Sequence, residues 1–107
     1  YIMLSSRKVY GAAAGDEGFA EDRPAAPDTP YGAAKLAVEG RLAQTLGADR
    51  LTILRLANIF GDEYGRRSFA GAALTSLKDG GIIRFDMNPA VRRDFLPVAG
   101  FAAALGR

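Results

Sequence analysis

The chain has 107 residues, which suits one small domain. Charged residues make up 24% of it and the formal net charge is +2, so the charge does not indicate a nucleic acid or a membrane surface as partner. It contains no cysteine and no histidine. We therefore predict no metal site and no disulfide, and we expect any acid–base chemistry to fall to tyrosine, lysine, aspartate or glutamate. No run reaches the ~18 apolar residues of a membrane span and no signal peptide is visible, so we expect a cytoplasmic protein.

The first half of the chain predicts a strand, a long loop and a helix. The opening run "YIMLS" is typical of a strand buried on both faces of a parallel sheet. A polar stretch follows at 7–29, and loops of that length are usually functional or disordered. Thr29 suits a helix N-cap, so a helix is expected to run to about Leu46 and to end at Gly47. Its apolar face, which we expect to pack on a sheet, consists of Ala34, Val38, Leu42 and Leu46.

The second half predicts further strands alternating with helices. In chain order these are a strand at 51–57, a loop at 58–67, a helix at 68–79, a strand at 82–86, a loop at 87–93, a short extended piece at 94–98 and a last helix opened by Pro97. Ser68 suits the cap of the second helix and Gly80 its end. Strands that alternate with helices indicate an α/β fold with a mostly parallel sheet.

Tyr31 and Lys35 lie four residues apart at the start of the first predicted helix, so they share one face. A free tyrosine has a pKa near ~10 and is a poor base at neutral pH. A lysine ammonium within ~4–6 Å favours the phenolate form, and the positive end of the helix dipole adds to that effect. The pair is a candidate proton-transfer couple, although on this spacing alone a solvated helix face is the alternative.

Four motifs occur in one order along nearly the whole chain. They are Ser6 at a strand end four residues before Tyr10 of "VYG", Tyr31 and Lys35 about 25 residues later, Arg55 and Asn58 as Arg-x-x-Asn after the next strand, and Arg93, Asp94 and Phe95 as Arg-Asp-aromatic. Together they resemble the extended short-chain dehydrogenase/reductase family, the NAD-dependent nucleotide-sugar epimerases, dehydratases and reductases. The resemblance implies part of a Rossmann-type doubly wound sheet with the start of a small substrate-binding region.

The resemblance also implies a site for NAD, or NADP, and a nucleotide sugar. Tyr31 would take the proton from a sugar hydroxyl while hydride leaves the same carbon for the cofactor, and Lys35 would hold the nicotinamide ribose. Ser6 would bond the reacting oxygen; the spacing favours Ser6 over its neighbour Ser5. Ala57 stands where the family has a residue that touches the nicotinamide, and it can offer only backbone or a methyl group.

On the substrate side, Asn58 would bind the sugar diphosphate and Arg93 would clamp a phosphate with its planar fork. Structural roles are the alternatives, with Asn58 capping the loop after its strand and Arg93 pairing with Asp94 or Asp86. Arg55 lies in an apolar strand and is expected to be structural, bonded to a carboxylate or to backbone. Tyr10 and the glycine after it are expected to be a packed aromatic and a turn.

The same resemblance suggests how the chain is organised. Residues 1–60 would belong to the catalytic part of the Rossmann-type domain and 61–107 to the start of the substrate-binding region. The Gly-rich dinucleotide fingerprint is missing and would lie upstream of Tyr1. Because the sequence also opens in an apolar run and closes on "FAAALGR", we expect an internal piece of a longer protein, inactive by itself.

Departures from the family pattern narrow the expected reaction. Arg7 and Lys8 stand where the dehydratases carry their Asp-Glu acid and base, so dehydration is not expected. Ala99 and Gly100 replace a common Asp-Asp after the Arg-Asp-aromatic motif. We predict an epimerase that works through a transient keto sugar, with a keto-sugar reductase or a non-catalytic NAD(P)-binding homologue as alternatives. The expected partner is the nucleotide sugar, with a homodimer of the full-length protein as a family expectation.

Overall fold

A computed structural model of the chain describes residues 1–12, 18–62, 68–84 and 93–106. The chain divides into two compact units, Tyr1–Ala57 and Asn58–Arg107. None of the described helices is long and apolar enough to cross a bilayer.

The first unit is a β–α–β arrangement. Strand β1, Ile2–Ser6, pairs in parallel with β2, Thr52–Leu56, and helix α1, Pro30–Leu46, connects them. The register opposes Ser6 to Leu56, so the two strands end together. Parallel strands joined through a helix are the repeating unit of Rossmann-type sheets. Short 3-10 helices occupy Arg7–Tyr10 and Ala48–Arg50.

Helix α1 has the bounds that the sequence predicts. The Thr29 hydroxyl accepts a hydrogen bond from the Gly32 amide at 3.1 Å and caps the first turn. Gly47 ends the helix with φ at +80°, a conformation that favours glycine. Both signals are local in sequence, which is why the helix could be delimited from the sequence alone.

The face by which α1 packs is only partly the predicted one. Ala34 and Val38 are exposed, while Gly32 and Glu39 are buried. Glu39 receives hydrogen bonds from both strands of the sheet, and these turn its side of the helix inward. The predicted packing face is therefore wrong in its first half.

Strand β1 exists as predicted but is not buried on both faces. Ile2 and Leu4 are exposed within the described part of the chain. The sheet that carries β1 there has two strands, and α1 packs against β1. Alternate apolar side chains of the strand are consequently left in contact with solvent.

The second unit contains another parallel pair of strands. Strand β3, Asn58–Phe60, pairs with β4, Phe95–Pro97, and the helices are α2, Phe69–Lys78, and α3, Val98–Leu105. The Ser68 hydroxyl caps α2 as predicted, accepting from the Gly71 amide at 3.0 Å.

Two sequence expectations fail in this unit. Residues 58–60 were expected in a loop but form β3. The strand was not predicted because its pairing partner lies far along the chain, so the sequence around 58–60 carries no signal for it. The described part of the strand expected at 82–86 is residues 82–84, and it is not in a strand; Ile82 is 83% exposed. Two adjacent apolar residues form a strand only where another strand pairs with them. In the described ranges no strand pairs with 82–84. Most of the loop expected at 87–93 lies outside the described residues.

Candidate active site

Ser6 is the last residue of β1 and lies where a parallel α/β sheet binds its ligands, at the carboxyl end of a strand. Its Oγ accepts a hydrogen bond from the Lys8 amide at 3.3 Å and so caps the 3-10 helix that follows. That bond uses a lone pair of the hydroxyl oxygen. The hydroxyl can still donate its proton to a ligand.

Tyr31 and Lys35 lie in the first two turns of α1, beside the same strand. The Lys35 Nζ donates to the Leu4 carbonyl at 3.0 Å, two residues before Ser6. The same Nζ is 5.9 Å from the centre of the Tyr31 ring, within the range of a cation–π contact. The Tyr31 side chain is 57% exposed. The ammonium thus lies near the aromatic ring and is tied to the strand that ends in Ser6.

Gly32 allows α1 to lie close to the turn after Ser6. A Cβ at Gly32 would lie 2.3 Å from the Lys8 carbonyl oxygen, closer than any side chain tolerates. Sequence reasoning missed this residue. Its signal was a glycine in the first turn of a helix, where glycine is unfavourable unless another group approaches closely.

Ser5 has a structural role. It is buried, and its hydroxyl donates to the Glu39 carboxylate on α1. Arg55 on β2 donates to the same carboxylate from Nε, at 3.2 Å to each oxygen, and from Nη2 at 2.7 Å. The expectation that Arg55 bonds a carboxylate is confirmed. Glu39 itself was missed, although an arginine in an apolar strand indicates an acidic partner.

The charges of this pair stabilise each other. Burial raises the pKa of the Glu39 carboxyl, but the hydrogen bonds from Arg55 and Ser5 and the charge of Arg55 together bring it below its ordinary value of 4.5. The hydrogen bond to Glu39 raises the pKa of the Arg55 guanidinium above its usual range, against the effect of burial. Glu39 and Arg55 are therefore an ion pair at neutral pH.

Tyr10 and Gly11 have the structural roles expected for them. Tyr10 is buried and stacks on Phe19 with ring centres 5.3 Å apart, and the Arg55 guanidinium of β2 lies 4.8 Å from the centre of the Tyr10 ring. Gly11 has φ at +75°, and a Cβ there would meet the Ala26 carbonyl oxygen at 2.2 Å. The turn after "VY" accordingly requires glycine.

Ala57 follows β2 directly. It lies one residue beyond Leu56, the register partner of Ser6. Ala57 is thus at the same carboxyl end of the β1–β2 pair as Ser6, and it is half-buried. A methyl group or a backbone amide at this place can contact a ligand held above the strand ends.

Asn58 and Arg93 lie together in the second unit. The Asn58 amide side chain donates to the Asp94 carbonyl at 3.1 Å, and the Asn58 backbone amide donates to the same oxygen at 3.3 Å. Asn58 and Arg93 both line a cleft of about 440 Å³. The other residues that line it are Ile59, Phe60, Ser68, Phe69, Ala70 and Phe95. A guanidinium, an amide and several aromatic rings can receive an anion that carries a planar group.

A shallow depression in the first unit is not a candidate. Its lining includes Tyr1, Ile2 and Thr52, at the amino ends of β1 and β2. Ligands of open parallel sheets bind at the opposite, carboxyl ends.

The NAD dependent epimerase/dehydratase family is matched by residues 1–106. The chain belongs to this family. The resemblance to extended short-chain dehydrogenases/reductases is thereby confirmed, as is the Rossmann-type α/β fold. No curated protein matches the chain closely enough in sequence to count as a relative.

Two solved structures share the fold of this family member. A dTDP-glucose 4,6-dehydratase from Bacillus anthracis, in complex with NAD, is 23% identical with a TM-score of 0.80, over 98% of this chain and 34% of that one. A UDP-N-acetylglucosamine 4-epimerase from Methanobrevibacter ruminantium, in complex with UDP-N-acetylmuramic acid, is 25% identical with a TM-score of 0.75, over 96% of this chain and 35% of that one. The chain thus spans about a third of the length of either structure.

Proposed function

We propose that this chain supplies the proton-transfer residues and part of the substrate site of an NAD-dependent nucleotide-sugar epimerase. The observation that carries the proposal is the hydrogen bond from Lys35 to the Leu4 carbonyl. It brings the Tyr-x-x-x-Lys turn beside the strand that ends in Ser6. In an NAD-dependent family, a tyrosine and a lysine one helical turn apart beside a strand that ends in serine suit proton transfer to and from a substrate hydroxyl.

The residues at this strand end fit a nicotinamide dinucleotide. Lys35 offers N–H donors for ribose hydroxyls, and Ala57 offers a small surface beside the ring. When bound, NAD takes up hydride from a sugar carbon and can return it. We assign NAD or NADP to the site on this basis. The structurally similar dTDP-glucose 4,6-dehydratase, which was solved with NAD, supports the assignment.

The chain's own residues handle the proton. Tyr31 takes the proton from the hydroxyl on the sugar carbon that is oxidised, and loss of hydride from that carbon to NAD leaves a ketone there. Lys35 lies beside the Tyr31 ring, and Ser6 donates a hydrogen bond to the reacting oxygen. Tyr31 then returns the proton when the carbon is reduced from its other face, which inverts the configuration.

The substrate's nucleotide and diphosphate are assigned to the second unit. Arg93 offers the planar fork that suits a phosphate, and Asn58 lies beside it in the same cleft. The structurally similar UDP-N-acetylglucosamine 4-epimerase, which was solved with UDP-N-acetylmuramic acid, supports a nucleotide sugar as the ligand. In this proposal residues 1–60, which include Asn58, are the catalytic part, and residues 61–107 begin the substrate-binding region.

Epimerisation is favoured over dehydration by the residues that follow Ser6. Water elimination needs a second acid and base near the sugar, and Arg7 and Lys8 occupy the positions from which the family's dehydratases supply them. Neither an arginine nor a lysine side chain offers the carboxylate that the dehydratases use. The cytoplasmic location and the homodimer stay predictions.

The test is to incubate the full-length protein with nucleotide sugars and to follow both the sugar product and the reduced nicotinamide. An epimerase converts one stereoisomer into the other with no net change in reduced cofactor. Stoichiometric consumption of added NADH or NADPH would show a keto-sugar reductase instead. Loss of water from the sugar would contradict the proposal, and complete absence of turnover would favour a non-catalytic homologue.

A further inference from the structure

Four side chains connect helix α1, which carries Tyr31 and Lys35, with the strand and the turn on either side of Ser6. Ser5, next to Ser6, donates to Glu39 on α1, and Glu39 pairs with Arg55 on β2. Arg55 also lies against the ring of Tyr10, in the 3-10 helix that follows Ser6. We name Ser5, Glu39, Arg55 and Tyr10 the anchor cluster.

The anchor cluster holds α1 at a defined height on the strands. Tyr31, Lys35 and Glu39 succeed one another at intervals of four residues, so Glu39 lies about 6 Å along the helix axis from Lys35 on nearly the same face. Glu39 is only 3% exposed, and its carboxylate contacts one residue on each strand. Because hydrogen bonds are directional, a carboxylate bonded to both strands defines the position of the helix on the sheet more narrowly than apolar contacts do.

The cluster also holds the other side of the site. The Ser5 bond fixes the strand immediately before Ser6, and the Arg55–Tyr10 contact fixes the turn after it. Both contacts meet at the Glu39–Arg55 pair. A displacement of α1 would therefore change the distance of Tyr31 and Lys35 from Ser6 without changing their distance from each other.

We propose that Glu39, acting with Arg55 and Ser5, is a positioning residue that sets the height of Tyr31 and Lys35 above the end of β1. This inference rests on the proposed function for the roles of Tyr31 and Lys35. It does not require Glu39 to touch substrate or cofactor. Removing its contacts lowers kcat, because a shift of ~1 Å at a reacting group can cost about 100-fold in rate.

The test compares three variants of the full-length protein with one control. Ser5→Ala removes one contact of the carboxylate, Glu39→Gln removes its charge, and the double variant Glu39→Leu/Arg55→Met replaces the pair by apolar groups. The double variant guards against misfolding, since apolar replacement of a buried pair is often neutral for stability. The control, Leu46→Ala, weakens the far end of α1.

Steady-state kinetics and hydrogen exchange are measured for each. We expect kcat per folded protein to fall about tenfold or more in Glu39→Gln and in the folded double variant, less in Ser5→Ala, with KM for the sugar within about twofold. Exchange at the amides of residues 32–35 should quicken in the same variants and stay unchanged in Leu46→Ala. Wild-type kcat in the folded double variant, or equal losses in Glu39→Gln and Leu46→Ala, would overturn the positioning role.

A Tyr31→Phe variant separates this inference from the proposed function. If Tyr31→Phe retains turnover, the proposed chemistry is wrong. Faster exchange at 32–35 in Glu39→Gln alone would then still support the positioning of the first turns by Glu39. Unchanged exchange there would overturn the inference whatever the outcome for Tyr31.

Discussion

Gly32 of α1 lies directly against the backbone of Lys8, with room for no Cβ between them: a side-chain carbon at Gly32 would be 2.3 Å from the Lys8 carbonyl oxygen and 3.0 Å from the carbonyl carbon. Gly32 follows Tyr31, and Lys8 follows Ser6 by two residues. The contact therefore brings together the two turns that carry the proposed proton-transfer residues. Neither side can yield without moving backbone.

We predict that Gly32→Ala lowers kcat of the full-length protein at least tenfold, because the new methyl group pushes the first turn of α1 away from the turn after Ser6. Steady-state kinetics on folded protein is the measurement. Gly40→Ala is the matched control, since a Cβ there would meet nothing within 4 Å beyond its chain neighbours and the adjacent backbone of its own helix. It should stabilise the helix by about 0.5–1 kcal/mol and leave kcat unchanged. Equal activity of the two variants would show that the contact is not needed.

The Glu39–Arg55 pair predicts an acid-sensitive stability. The pKa of Glu39 is lower in the folded chain than its ordinary value of 4.5, so the folded state binds fewer protons at this group than the unfolded state. The stabilisation is complete above that ordinary value and is lost as pH falls through the lower folded-state pKa. Urea unfolding of the full-length protein over a pH series measures it.

In the same series, Glu39→Gln should be less stable at neutral pH by about 3 kcal/mol, because it leaves Arg55 without its buried partner. Its free energy of unfolding should also decline less steeply in acid. Glu21→Gln makes the same chemical change in an exposed loop and should behave like the wild type. Parallel pH curves for the wild type and Glu39→Gln would contradict the assignment.

Arg93 is predicted to act in binding rather than in the chemical step. Arg93→Lys keeps the charge but loses the two-pronged geometry, so KM for the nucleotide sugar should rise about tenfold while kcat changes little. Arg84→Lys is the control, because Arg84 is exposed in the same unit and does not line the cleft. A fall in kcat with KM unchanged would place Arg93 in the chemical step and contradict the binding role.

Local signals in the sequence predicted the helices well. Thr29 and Gly47 delimit α1, and Ser68 opens α2, because caps depend on residues within one turn of the helix end. The pairing of β3 with β4 could not be predicted in the same way. Its partners are far apart along the chain, with Asn58 opposite Phe95, and neither short strand has a periodic pattern of its own.

The candidate site was predicted as far as motif spacing reaches. The four-residue spacing of Tyr31 and Lys35 and their distance from Ser6 predicted them as a proton-transfer pair, and the structure brings Lys35 to the strand that carries Ser6. Gly32 and Glu39 were missed because their importance lies in what they meet across the fold: a carbonyl in one case and two strands in the other. The predicted packing face through Val38 was wrong for the same reason, because the buried Glu39–Arg55 ion pair turns the neighbouring side of the helix toward the sheet.

Proton transfer by Tyr31 is tested by the Tyr31→Phe variant. The measurement is kcat of the full-length protein with its nucleotide sugar, with Tyr1→Phe as a control that makes the same change on an exposed tyrosine at the other end of β1. We predict that Tyr31→Phe lowers kcat about 10²–10⁴-fold, the usual contribution of a general acid or base, and that Tyr1→Phe leaves it unchanged. Turnover of Tyr31→Phe within about tenfold of the wild type would contradict proton transfer by Tyr31.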